Sequence, residues 1–182
     1  NHPIVAGNIV GVHNGTIENH QVLRERLSIP TRGEVDSEVL FSVLERTTNR
    51  LGVNAEAVKM AAKVFAGAFT IAAVSKVNKD LLMLTRVGRP LDVAYFYEFG
   101  VMVGASEERI IRAAIEAVGE SRIGKRYIGS FPESTGAIFD VNHNRPLEAG
   151  AFDLLQRSLT IFSPEAMAAC TAPIKTPTSS KV

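Results

Sequence analysis

Asn14 and Gly15 stand side by side at the end of an apolar run, and Asp36 follows at the start of a second amphipathic segment. The pair offers a side-chain amide N–H and an unhindered backbone N–H. Both are hydrogen-bond donors. Glycine permits a sharp turn and a close approach of backbone to ligand. A fixed carboxylate such as Asp36 binds an amine through charge-assisted hydrogen bonds. The set thus holds a donor group and an amine-binding group, but no obvious nucleophile. Each residue also has a plainer reading. Asn-Gly is a common turn, and an Asp at a helix start is a common N-cap.

The other reactive residue types add little. His13 precedes Asn14 and, on a strand, points to the opposite face, which makes it a packed core histidine. His20 falls on a helix surface and His143 in a turn. His2 lies too near the start of the chain for a role to be argued. The four histidines are dispersed and have no acidic partners at ligand spacing, so no metal site is expected. Cys170 is the single cysteine and lies in a late Ala-rich segment, where an inert thiol is the expectation. One cysteine makes neither a disulfide framework nor a Cys-rich zinc site. Gly67, Gly100 and Gly104 fit turns and close sheet contacts; no phosphate-cradling glycine pattern is present. No cofactor is expected.

With 182 residues, 46% hydrophobic and 21% charged, the chain is long enough for one ordinary domain with a real core. A net charge of +1 and scattered basic residues give no nucleic-acid partner. No apolar run reaches membrane-spanning length, so no membrane is expected. The single cysteine fits a cytoplasmic, reducing compartment. The chain opens on Asn1 rather than Met, which leaves open an upstream segment removed by processing.

The elements that must position these residues follow from pattern. Residues 4–13 are apolar and β-branched and read as one buried strand or two short ones. Residues 16–27 read as a helix capped by Thr16. A loop covers 28–34. Asp36 or Ser37 then caps a helix with Val39, Leu40, Val43 and Leu44 at helical spacing. Asn54 starts a third helix, with Val58, Ala61, Ala62 and Phe65 inward, and Gly67 ends it. Three hairpins are expected: 68–77 with 81–86, 92–97 with 101–106, and 135–141 with 146–154. Between the last two, Ser106 caps a helix with Ile110, Ile111, Ala114, Ile115 and Val118 inward and Gly119 as its stop. From 157 the pattern fades into a segment rich in Pro, Thr, Ser and Lys, expected to be a mobile tail. Helices followed by antiparallel hairpins imply α+β layers, and strands apolar on both faces need cover on both.

Four blocks in order carry a family resemblance: VHNGTIENHQVLRERL, VDSEVLFSVL, GAFTIAAVSKVNKDLLMLTRVGRPLDV and VMVGASEE. Together they resemble class II glutamine amidotransferase domains, which are N-terminal-nucleophile hydrolases. The nearest likeness is to the glutaminase domain of glucosamine-fructose-phosphate aminotransferases. The resemblance covers roughly residues 1–150, so 1–156 reads as the domain and 157–182 as an extension. It implies a four-layer αββα sandwich.

It also implies a reaction: hydrolysis of L-glutamine to glutamate and ammonia, the ammonia passing to an acceptor. By this resemblance Asn14 and Gly15 form the oxyanion hole. Asp36 receives the glutamine α-ammonium, with Val35-Asp36-Ser37-Glu38 in place of the family's Thr-Asp-Thr-Glu. The family's nucleophilic N-terminal Cys, and the Arg-x-x-Thr-His-Gly segment that grips the glutamine carboxylate, lie upstream of the matching blocks. Neither is in these residues. The expectation is a domain incomplete at its N-terminus, partnered by that front segment or a chain carrying it, and by a synthase partner or further copies of itself. The alternative is a non-catalytic protein that reuses the fold for assembly or glutamine sensing.

Overall fold

The computed structural model describes residues 2–30, 33, 35–141 and 152–153. The apolar run near its start folds as two antiparallel strands, β1 (Ile4–Ala6) and β2 (Ile9–Ile17), turned at Gly7 with φ +54°. β2 runs straight through Asn14-Gly15 to Ile17. The pair is therefore neither a turn nor a helix entrance, and Thr16 caps nothing. Helix α1 (His20–Arg26) begins only after Asn19. The reason is tertiary. Every residue of β2 pairs with β3, from Ile9↔Ser75 to Ile17↔Gly67, and Ile17 is fully buried. A ladder of that length outweighs the weak helix preference of residues 16–19.

Two helices follow. α2 (Asp36–Leu51) buries Val39, Leu40, Val43 and Leu44 as their spacing predicts, with Phe41 and Thr48 added. It ends at Gly52, whose φ of +80° suits a residue without a Cβ. The phenyl ring of Phe41 occupies the space where a Cβ on Gly11 would lie, so α2 approaches β2 closely at that point. α3 (Ala55–Val64) starts as expected: Asn54 Oδ1 accepts from the Ala57 N–H at 3.0 Å. It stops at Val64 rather than Gly67, which instead opens the next strand with φ +122°.

The expected hairpins form. β3 (Gly67–Ser75) turns at Asn78-Lys79-Asp80 into β4 (Leu81–Val87). β5 (Asp92–Phe96) turns at Glu98-Phe99-Gly100 into β6 (Val101–Ala105). Helix α4 (Glu108–Val118) stops at Gly119 as predicted, but its N-cap is Glu107 rather than Ser106. Its inward face is also narrower than expected. Ile111 and Ile115 are buried, whereas Ile110 and Val118 are 47% and 55% exposed. A strand that the sequence pattern does not predict, β7 (Arg126–Ser130), follows a short 3-10 turn and pairs with β5. β8 (Thr135–Asp140) pairs with β9 (Phe152–Asp153), the described remnant of the third hairpin. Its turn residues 142–144 and the segment 157–182 lie outside the described residues.

These strands make two sheets, one in the order β1-β2-β3-β4-β8-β9 and one in the order β6-β5-β7. α2 and α3 pack on the larger sheet through Leu40, Phe41, Val58, Ile71 and Met83. The other face of that sheet meets the smaller one through Leu84 and Ala137 against Leu91, Val93, Met102 and Phe131. The outer face of the smaller sheet carries α4 through Ala94, Ile111, Ile115 and Ile128. The result is the expected α+β sandwich with layers αββα. Among the described residues no helix is long and apolar enough to cross a membrane.

Candidate functional site

β2 lies beside the space between the sheets. Its alternation sends Val12 and Asn14 toward that space and Gly11, His13 and Ile17 toward the helices. Asn14 lines a cleft of about 350 Å³ with Val12, Thr70 and Leu84 from the large sheet and Leu91, Met102 and Ser106 from the small sheet and its edge. Asn14 is exposed, and among the described residues no group hydrogen-bonds its carboxamide. Thr70 sits directly across the ladder from Asn14. Its Oγ1 donates to the Arg89 carbonyl at 2.9 Å and so ties down the connection that crosses from one sheet to the other.

Gly15 has φ +133°, and a Cβ there would run into the Ala68 carbonyl oxygen on β3. The close approach of the two strands thus requires glycine at this position. Just beyond, the end of β2 is held from several sides. The Glu18 N–H donates to the Ala66 carbonyl at 2.8 Å. Asn19 donates from Nδ2 to the Val64 carbonyl at 2.8 Å and accepts the Ala66 N–H at 2.9 Å.

Asp36 is the first residue of α2, behind Val35 as N-cap, and neither it nor Ser37 caps the helix through its side chain. Its carboxylate is used differently. Oδ2 accepts the Ile17 N–H at 2.7 Å, and Oδ1 accepts the Ser37 hydroxyl at 3.4 Å. Ser37 Oγ in turn lies 3.0 Å from His13 Nδ1. His13 is buried as expected, 9% exposed, though it has a polar partner rather than apolar packing alone. Burial lowers its pKa; the nearby Asp36 charge acts in the opposite sense, and His2 pushes it further down. The His2 ring stands edge-on to it at 6.4 Å.

The structure thus brings Asn14, Gly15 and Asp36 to one end of β2. Ile17, the residue that Asp36 holds, is three positions along the strand from Asn14, roughly 10 Å at strand rise. Sequence pattern offers Ser37 only as an alternative helix cap and does not single out Thr70. For Thr70 the available signal is a polar residue inside an apolar strand. Cys170 and His143 lie outside the described residues, and His20 is tied by Nδ1 to the Ile17 carbonyl at 2.7 Å. Among the described residues no three acidic, histidine or cysteine side chains gather as a metal site. The arrangement can donate hydrogen bonds to an oxygen in the cleft and can hold a cation at the strand end.

The fold is of the N-terminal-nucleophile type found in amidotransferase domains. Residues 1–113 match the family model described as "Glutamine amidotransferase domain", and the chain belongs to that family, in its class II form. The chain is similar to the glutamine–fructose-6-phosphate aminotransferase (isomerizing) of Zymomonas mobilis, 38% identical over 99 residues, covering 52% of this chain and 16% of that protein. The protein of the same name from Escherichia coli K12 is 38% identical over 95 residues, 50% of this chain and 15% of that one. The chain therefore spans only a small part of these relatives' length. Among solved structures, the glutamine phosphoribosylpyrophosphate amidotransferase of B. subtilis, complexed with ADP and GMP, superposes with a TM-score of 0.60. It is 17% identical, and the superposition covers 85% of this chain and 32% of that one. At that identity the likeness speaks to the fold.

Proposed function

We propose that this chain binds L-glutamine and presents its side-chain amide for hydrolysis to glutamate and ammonia. Asn14 Nδ2–H and the Gly15 N–H receive the oxyanion of the tetrahedral intermediate, and Asp36 receives the α-ammonium. The reading rests above all on one observation. Asn14 opens onto the inter-sheet cleft with no hydrogen-bond partner among the described residues, while the Asp36 carboxylate is pinned to Ile17 on the same strand. The family's description supports glutamine as the ligand.

The nucleophile in this proposal is a cysteine on a segment other than residues 1–182. Its thiolate attacks the amide carbon and its own α-amino group takes the thiol proton. The C–N bond then breaks, ammonia leaves, and water hydrolyses the thioester to glutamate. A reducing cytoplasm suits such a thiol. Residues 1–156 form the amidotransferase unit and 157–182 an extension. Ammonia passes to an acceptor site on another domain, a synthase partner or an assembled copy.

A second reading, glutamine sensing or assembly without turnover, draws on the absence of cysteine from the described residues around the cleft. Two measurements separate the readings. Calorimetry with L-glutamine against L-glutamate tests binding by the 182-residue chain. A diazoketone analogue of glutamine, added to protein from its native source, is followed by intact mass. A labelled cysteine on a co-purifying segment supports hydrolysis, and glutamine binding without any label supports sensing. No preference for glutamine in either measurement sinks hydrolysis and sensing and leaves assembly.

A further inference from the structure

We infer that Ser37 and His13 are positioning residues for Asp36: His13 donates from Nδ1 to Ser37 Oγ, and Ser37 donates its hydroxyl hydrogen to Asp36 Oδ1. The direction starts from the Ser37 hydroxyl, which donates to Asp36 Oδ1. An ionised carboxylate only accepts, and a serine has one hydrogen to give. With that hydrogen on Asp36 Oδ1 at 3.4 Å, the serine presents lone pairs to His13 at 3.0 Å, so the ring hydrogen belongs on Nδ1. Nε2, which is buried with no partner among the described residues, then carries a lone pair rather than an unsatisfied N–H. The lowered pKa of His13 favours the singly protonated ring that this arrangement needs.

The chain of contacts closes on itself. His13 and Ile17 both belong to β2, and they flank Asn14-Gly15. From His13 the path runs through Ser37 to Asp36, and from Asp36 Oδ2 it returns to the Ile17 N–H at 2.7 Å. The relay therefore fixes the first turn of α2 to the strand at two points, one on each side of the paired donors. Both carboxylate oxygens are oriented before any ligand arrives, which lowers the ordering cost of binding. The use of this bracket to hold a glutamine amine rests on the reading of Asp36 given above.

The test uses the full 182-residue chain labelled with ¹⁵N. Ring correlation spectra at pH 7.5 should show the His13 hydrogen on Nδ1. In Ser37→Ala the Ile17 amide should exchange its hydrogen about tenfold faster, as expected for losing one hydrogen bond to a charged group. Ser37→Thr, which keeps the hydroxyl, should restore the slow rate. A hydrogen on Nε2, or an Ile17 amide indifferent to Ser37→Ala, overturns the relay. Titration of the wild-type chain with L-glutamine tests the binding role of Asp36 separately. An intact relay whose Ile17 and Asp36 signals ignore glutamine leaves the positioning role standing and removes the substrate. A glutamine response without the relay does the reverse.

Discussion

Asp36 accepts the backbone N–H of Ile17 at 2.7 Å, so the first residue of α2 is bonded to the last residue of β2. Replacing Asp36 with Asn keeps the size and removes the charge. Hydrogen bonds to charged groups contribute about 1.5–3 kcal/mol, so urea unfolding should show a loss of that order at most. Glutamine affinity should fall as well, by about tenfold or more, because the ammonium loses its counter-charge. A loss of stability with glutamine affinity unchanged in calorimetry would mean that Asp36 serves the fold alone.

Asn14 should behave in the opposite way. It is exposed on the cleft and bonds to no described group, so Asn14→Ala should leave the unfolding midpoint nearly unchanged. In protein complemented by its cysteine-bearing segment, the same substitution should lower glutaminase turnover by about 100–1000-fold, with little change in KM. A variant that turns over normally would remove Asn14 from the oxyanion site.

Gly15→Ala combines two penalties. The residue must hold φ +133°, and the new methyl meets the Ala68 carbonyl oxygen, which belongs to rigid backbone. A strained backbone position of this kind costs about 1–3 kcal/mol before the clash is counted. The expected outcome is a destabilisation above about 2 kcal/mol in denaturant, or failure to fold. Normal stability would show that the two strands can move apart there.

The burial of His13 predicts a pH dependence of stability. Its native pKa lies below the ordinary 6.5, with burial the leading cause, Asp36 opposing and His2 reinforcing. Between the native value and 6.5 the unfolded chain binds more protons than the folded one, so stability rises with pH across that window and levels off above it. The denaturation midpoint should therefore drop as pH goes from about 7.5 to about 5.5. In His13→Gln that drop should shrink, while in His2→Ala most of it should remain. A profile identical in wild type and His13→Gln would assign the dependence to other groups.

Local signals suffice for most of the elements. Asn54 caps through its own side chain, and Gly119 stops α4 with φ +95°. The turns at 78–80 and 98–100 are set by their own residues, and all of these are legible in the sequence. Non-local pairing produces the differences. Residues 14–17 look like a turn and a helix start until β3 pairs with them. β7 has no strong alternation of its own and becomes a strand by joining β5. Ile110 and Val118 fit a helical stripe, yet the three-stranded sheet beneath α4 covers only Ile111 and Ile115.

The positions of the candidate site divide the same way. Asn14, Gly15 and Asp36 stand out by residue type within matching blocks. Ser37 does not, because its contact with His13 exists only once α2 lies against β2. Nor can pattern show that Asp36 leaves the cap position to Val35 and turns to the strand instead.

The ladder between β2 and β3 joins nine residue pairs across the intervening segment 18–66, whose described residues hold α1, α2 and α3. Closing so long a loop costs entropy before the pairing repays it, and contacts of that separation form slowly. Asn14 and Gly15 therefore reach their places only when that long-range pairing has formed. Readiness to bind is then an all-or-none property of the whole layer, acquired and lost with the cooperative unit rather than with the local turn of chain.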